Sequence, residues 1–191
     1  MNAVGSLLSA FGLSTAAGLN AYIPLLAVGL LARYTDLIHL DGPYVLLTHP
    51  LVLLLLALLA LLDFVADKIP AIDHIAHMVG VLIHPIAGAL LFMTANNASG
   101  TLSPFLAALF GMVLAGGTHG LRAIARPVAT ASTAGIANPF VSLIEDITSF
   151  TLAVLALLVP AVAVLLIFLI AYLVIRSLRD IARRRTGTAS P

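Results

Sequence analysis

GIANPFVSLIEDITSFTLAVLALLVPAVAVLLIFLIAYLVIRSL, from Gly135 to Leu178, decides the fold. Before Arg176 it holds two charged residues, Glu145 and Asp146. A bilayer core about 30 Å thick is crossed by about 20 largely apolar residues in a helix. This run is long enough to cross twice. As one helix it would be bent at Pro160; as two helices it would turn there.

The rest of the chain has the same character. Of its 191 residues, 61% are hydrophobic and 9% charged, against about 25% charged in soluble domains. So few charges cannot cover a soluble surface, whereas lipid can solvate apolar outer faces. The fold class expected is an all-α polytopic transmembrane bundle. The chain has no cysteine, which excludes disulfides, thiolate metal sites and thiol nucleophiles. The first 30 residues carry no Lys or Arg and form too long a stretch for a cleaved signal, so they read as the first membrane helix.

Six spans are expected, at about Val4–Ala32, Leu46–Ala66, Val79–Ala95, Ser103–Ile124, Gly135–Leu157 and Ala161–Leu178. Gly18 and Pro24 make the first one kinked or broken. Residues 1–180 form a single domain, and 181–191 a basic, partly disordered cytoplasmic tail. Lys and Arg accumulate in cytoplasmic loops. With both termini inside, Lys68, Arg122, Arg126, Arg176, Arg179, Arg183, Arg184 and Arg185 fall inside and Arg33 alone outside. A single helix after Gly135 would put the C-terminal arginines outside, so six spans are preferred.

A repeat is visible at an offset of 54 residues, aligning Pro50 with Pro104, Lys68 with Arg122 and Pro85 with Pro139. It predicts helices that open with Gly, a polar residue and Pro, as in Gly80…His84-Pro85 and Gly135…Asn138-Pro139. Gly18…Asn20…Pro24 is a looser version.

The polar residues inside these runs carry any chemistry. Glu145, about 15 Å along a helix starting at Gly135, would lie near mid-bilayer. A carboxylate there costs about 2.5–3.5 kcal/mol and faces the bundle interior, binding an ion, proton or substrate. The structural alternative pairs it with Arg122 or Arg126. Asp63 and Asp67 share a helix face four residues apart; Asp67 has Lys68 or Arg122 as partner, Asp63 follows leucine-rich sequence and is expected to point inward, and Pro70 then ends the helix. Asp73, His74 and His77 are weak metal candidates, because no recognised zinc spacing accompanies them. Asn20, His84 and Asn138 stand beside helix breakers, where they can satisfy freed carbonyls or line a site. His119, among Gly116, Gly117 and Gly120, reads as a core hydrogen-bonding residue.

The C-terminal arginines would bind anionic lipid. Without aromatic interleaving they do not suggest nucleic acid. No phosphate loop, nucleophile elbow or dinucleotide fingerprint is present, so no cofactor is expected.

At Gly18-Leu-Asn-Ala-Tyr22 and at Asp63-Phe-Val-Ala-Asp-Lys-Ile-Pro70 with Asp73-His74, the chain resembles a bacterial membrane family, domain of unknown function 4126. The resemblance runs from about Leu13 to about Leu178. It implies a small polytopic inner-membrane protein, carries no established activity and transfers no site residue.

The first functional expectation is a small transporter or channel for an ion or small solute. Glu145 and Asp146 would supply the charge, Asp63 and Asp67 the cytoplasmic mouth balanced by Lys68 and Arg122, and Asn20, His84 and Asn138 hydrogen bonds. The second is an accessory subunit of a larger membrane complex, docking through Gly111, Gly116, Gly117 and Gly120. An intramembrane lipid enzyme built on Asp63, Asp67, Asp73, His74 and His77 is the third. Expected partners are membrane lipids and either further copies of the chain or a larger membrane protein.

Overall fold

The computed structural model describes the backbone of residues 2–66, 70–97, 99–133 and 138–187. It describes their side chains except at 70–77, 126–133, 138, 178 and 180–187. The described chain is helical and contains no strand. In order come α1 (Ala3–Leu19), α2 (Tyr22–Tyr34), a short 3-10 helix (Gly42–Thr48), α3 (Pro50–Ala66), α4 (Pro70–Asn97), α5 (Pro104–Thr133), α6 (Asn138–Leu158) and α7 (Pro160–Gly187).

Proline sets where these helices begin. Pro50, Pro70, Pro104 and Pro160 are first residues of their helices, and Pro139 is the second of α6. Proline's fixed φ suits the first turn, and the N–H it lacks would have no helical acceptor there. The polypeptide chain therefore restarts a helix at each of them.

Among the described residues, four helices hold apolar stretches long enough to cross a membrane: Met78–Asn97, Pro104–Ala125, Pro139–Leu158 and Pro160–Ser177. A fifth crossing arises if the 3-10 helix and α3, bent by 64° to one another, count as one. The third to sixth expected spans match these helices to within a few residues. The first does not survive as one span, because Val4–Ala32 is divided into two short apolar helices.

Pro24 explains that division. In an unbroken helix its ring would strike the carbonyl of the residue four back, which is Asn20. The helix stops there instead: Asn20 is extended, with φ −142° and ψ 122°. Its side-chain Oδ1 then accepts from the backbone N–H groups of Tyr22 and Ile23, both at 3.0 Å, and so starts α2. Pro85 behaves differently. It lies inside α4, so Gly80…His84-Pro85 does not open a helix as the repeat predicts.

Helix α1 is the axis of the bundle and packs against α4, α5, α6 and α7. Small residues make this possible. Ser6, Ser9, Ala10, Gly12, Ser14, Ala16, Ala17 and Gly18 are all buried. Lipid tails are as apolar as leucine, so close backbone packing and interhelical hydrogen bonds hold such bundles together. Ser9 donates to the Ala156 carbonyl at 2.6 Å and Ser14 to that of Gly88 at 2.9 Å, while Ser149 donates to that of Ala16 at 2.9 Å.

These pairings fix direction. Ser9 meets Ala156 and Ala16 meets Ser149, so α1 runs antiparallel to α6. Ala10 clusters with Ala107 near the start of α5, and Leu19 bonds Arg122 further along it. Helices α1 and α5 are therefore parallel. Asn20 meets Asp63, and Gly29 packs on Leu47 and Leu53, so α2 runs back along α3.

At Pro160 the chain turns. A methyl placed on Gly12 would meet the Ala156 Cβ at 2.6 Å and the Ala163 Cβ at 3.4 Å. Seven residues on one continuous helix are separated by about 10 Å. Helices α6 and α7 are thus two folded-back helices and not one bent helix.

Candidate functional site

The polar side chains collect where α1 ends. Asn20 is 1% exposed, and its amide nitrogen donates to Asp63 Oδ2 at 3.0 Å and to Asp146 Oδ1 at 2.9 Å. An amide nitrogen has two hydrogens, and here each goes to a different carboxyl group. Its oxygen meanwhile caps α2. One side chain therefore ties together α1, α2, α3 and α6.

Arg122 lies on the other side of the break. Its Nε donates to Glu145 Oε2 at 2.7 Å, and its Nη1 to the Leu19 carbonyl at 2.8 Å. That carbonyl is one of those orphaned by the end of α1. The approach is close because Gly18 has no side chain: a methyl there would lie 2.6 Å from the Ala115 carbonyl oxygen. Both partners of the ion pair are largely buried, at 5% and 14% side-chain exposure.

Asp146 is flanked on its face of α6 by Ser142 and Ser149, both fully buried. Positions 142, 146 and 149 follow the helical period, which would have marked this face from sequence. Nothing in the sequence pointed to the Leu19 carbonyl, because a backbone acceptor becomes available only where a helix ends.

Asn20, Asp63, Arg122, Glu145 and Asp146 are thus brought together. The two carboxylates of the Glu145-Asp146 pair are separated in role. Glu145 is the partner of Arg122, which is the structural alternative weighed for it, while Asp146 shares Asn20 with Asp63. Depth also differs from expectation. Glu145 is six residues into the Pro139–Leu158 stretch, or about 9 Å, which leaves it about 5 Å short of the middle.

His84 lies elsewhere, against His119 at the α4–α5 contact, with ring centroids 4.1 Å apart. Asp67 and Lys68 lie outside the described residues, as do the side chains of Asn138, Asp73, His74 and His77. Among the described residues no group of three or more His, Cys, Asp or Glu is arranged to hold a metal ion. Gly111 does not form a docking face: it packs against Gly88 inside the bundle.

A separate cup of about 480 Å³ lies in the connection between α2 and α3, lined by Arg33, Tyr34, Asp36, His39, Asp41 and Thr48 among others. Arg33 closes one wall by donating to the Thr48 carbonyl at 2.9 Å.

Long apolar helices with charged groups turned inward define a polytopic helical membrane protein. The chain belongs to the family described as Domain of unknown function (DUF4126), which it matches over residues 7–180. No curated protein and no solved structure matches it.

Proposed function

We propose that this protein is a small membrane transporter or channel whose site, between Asp63 and Asp146, takes a proton or a monovalent cation, alone or coupled to a small solute. The observation that carries this reading is the single Asn20 amide shared by two carboxyl groups at a broken helix. Carboxylates held this close repel one another in a low-dielectric interior, and a shared cation or proton relieves the repulsion. Intramembrane carboxylates commonly mark ion and proton pathways, and broken helices build binding sites in transporters. Arg122–Glu145 is the fixed strut beside the site.

The membrane is the cytoplasmic membrane of a bacterium, with the site toward the cytoplasm. Helix α3 ends near the site, the apolar stretches of α5 and α7, Pro104–Ala125 and Pro160–Ser177, run toward that same end, and Arg122, Arg126 and Arg176 onward stand at or just beyond the ends of those stretches, as Lys68 follows α3 in sequence. Arg33, at the far end of α2, and the cup around it then form the outer mouth. This orientation keeps the C-terminus inside and places the N-terminus outside, because α1 is parallel to α5. It replaces the expectation of two cytoplasmic termini. The leucines on the exposed face of α3 meet lipid.

The test is flux into proteoliposomes holding the purified full chain, with proton, sodium and potassium gradients applied in turn. Asp146→Asn and Asp63→Asn should each lower flux at least tenfold while the protein stays folded. Equal flux through both variants and the native protein would exclude this site.

A further inference from the structure

Helices α4 and α5 approach as closely as backbones can. A methyl on Gly111 would strike the carbonyl of Gly88, and one on Gly88 would strike Ala115. Within this tight contact lie two imidazoles. His84 is 5% exposed and His119 4%, with ring centroids 4.1 Å apart and planes inclined by 30°. Glycine makes room for them: a methyl on Gly80 would meet His119 Cε1 at 3.0 Å and His84 Nδ1 at 3.1 Å.

Packing alone does not explain such a pair. Two leucines would fill the slot without the cost of desolvating polar rings. The hydrogen bonding is also specific. His84 Nδ1 lies 2.8 Å from the Gly80 carbonyl; a carbonyl only accepts, so Nδ1 carries the hydrogen, and protonation of His84 occurs at Nε2. Two imidazolium rings in contact inside a bundle would repel strongly. One proton on either ring leaves a cation stacked on a neutral ring.

The charged surroundings point the same way. On α5, Arg122 is one turn beyond His119 and is held by Glu145 of α6. Helix α1, packed against both α4 and α5, contributes no titratable side chain. On α4 itself, Asp73, His74 and His77 belong to the preceding turns.

We propose that His84 and His119 form a single-proton site, in which two stacked imidazoles accept one proton between them. This site is distinct from the Asp63–Asp146 site and does not depend on the transport reading. If transport is proton-coupled, it is a second station for the proton, one turn from Arg122.

The full chain, labelled with ¹⁵N-histidine and held in lipid nanodiscs, can be titrated from pH 4.5 to 9 by NMR, with single His→Gln variants assigning the signals. One proton should be taken up across the pair, and His84→Gln or His119→Gln should shift the midpoint of the remaining ring by at least tenfold in proton affinity. Two full, independent protonations would overturn the proposal, as would no protonation of either ring in this range. If a glutamine variant does not fold, phenylalanine at the same position keeps the stacked shape, and the native titration still counts the protons. The proton count needs no flux measurement. A protein with this titration and no flux would refute transport alone, and the converse would refute the histidine site alone.

Discussion

Asn20 donates a hydrogen bond of 2.9 Å to Asp146, a residue 126 positions later, and the same nitrogen serves Asp63. The chain can be broken at Asn20 because the side chain satisfies what the break exposes. It accepts from the start of α2 and donates to carboxylates of α3 and α6.

Substitution at this position should separate capping from charge. Asn20→Ala removes the cap, worth about 1 kcal/mol, together with both carboxylate bonds. Asn20→Asp keeps an accepting cap but replaces the shared donor with a third acid. Thermal unfolding in detergent should therefore rank native above Asn20→Ala above Asn20→Asp at neutral pH. An aspartate variant more stable than the alanine variant would mean that capping outweighs the carboxylate contacts.

Arg122 and Glu145 should behave as a coupled pair. Arg122→Ala leaves Glu145 without this partner and should cost about 3–5 kcal/mol, the usual effect of breaking a buried pair. Replacing both residues with leucine should recover most of that loss, short of what the Leu19 carbonyl loses with its donor. Arg122→Lys should fail to rescue, because Nε and Nη1 reach two acceptors at once and an ammonium lacks that fork. A double-mutant cycle on unfolding free energies measures the coupling, and additive effects would contradict it.

The glycines of α5 should divide into two groups. Gly111→Ala drives a methyl into the Gly88 backbone and should destabilise by about 1–3 kcal/mol, as overpacking does. A methyl on Gly117 or Gly120 would meet nothing within 4 Å among the described residues, so alanine there should be neutral or stabilising by up to about 1 kcal/mol through helix propensity. Melting temperatures of the three variants give the answer directly.

The absence of cysteine makes the proposed orientation simple to check. A cysteine at Val4 should react with a membrane-impermeant maleimide applied outside cells, and one at Arg179 should react only after the membrane is opened. Protection of both until the membrane is opened would restore the two-cytoplasmic-termini topology.

Much of the architecture is legible in single segments. The run from Gly135 to Leu178 must lie in a membrane because nothing else solvates it, and the prolines mark helix starts through their missing N–H. Gly18 and Pro24 mark the first apolar run as kinked or broken, and the break falls at Asn20, four residues before Pro24. Other features needed neighbours. That Glu145 pairs with Arg122 while Asp146 pairs with Asn20 depends on the rotation of α6 against α1 and α5. His84 and His119 are 35 positions apart and meet because α4 and α5 touch through Gly88 and Gly111. The path of the first helix pair rests on the parallel packing of α1 with α5. Composition and helix breakers act along the chain, so the sequence by itself determined the membrane setting, most helix limits and which residues are too costly to leave unpartnered. Which of those residues share a hydrogen bond depends on how helices are turned against each other, and only the tertiary structure decided that.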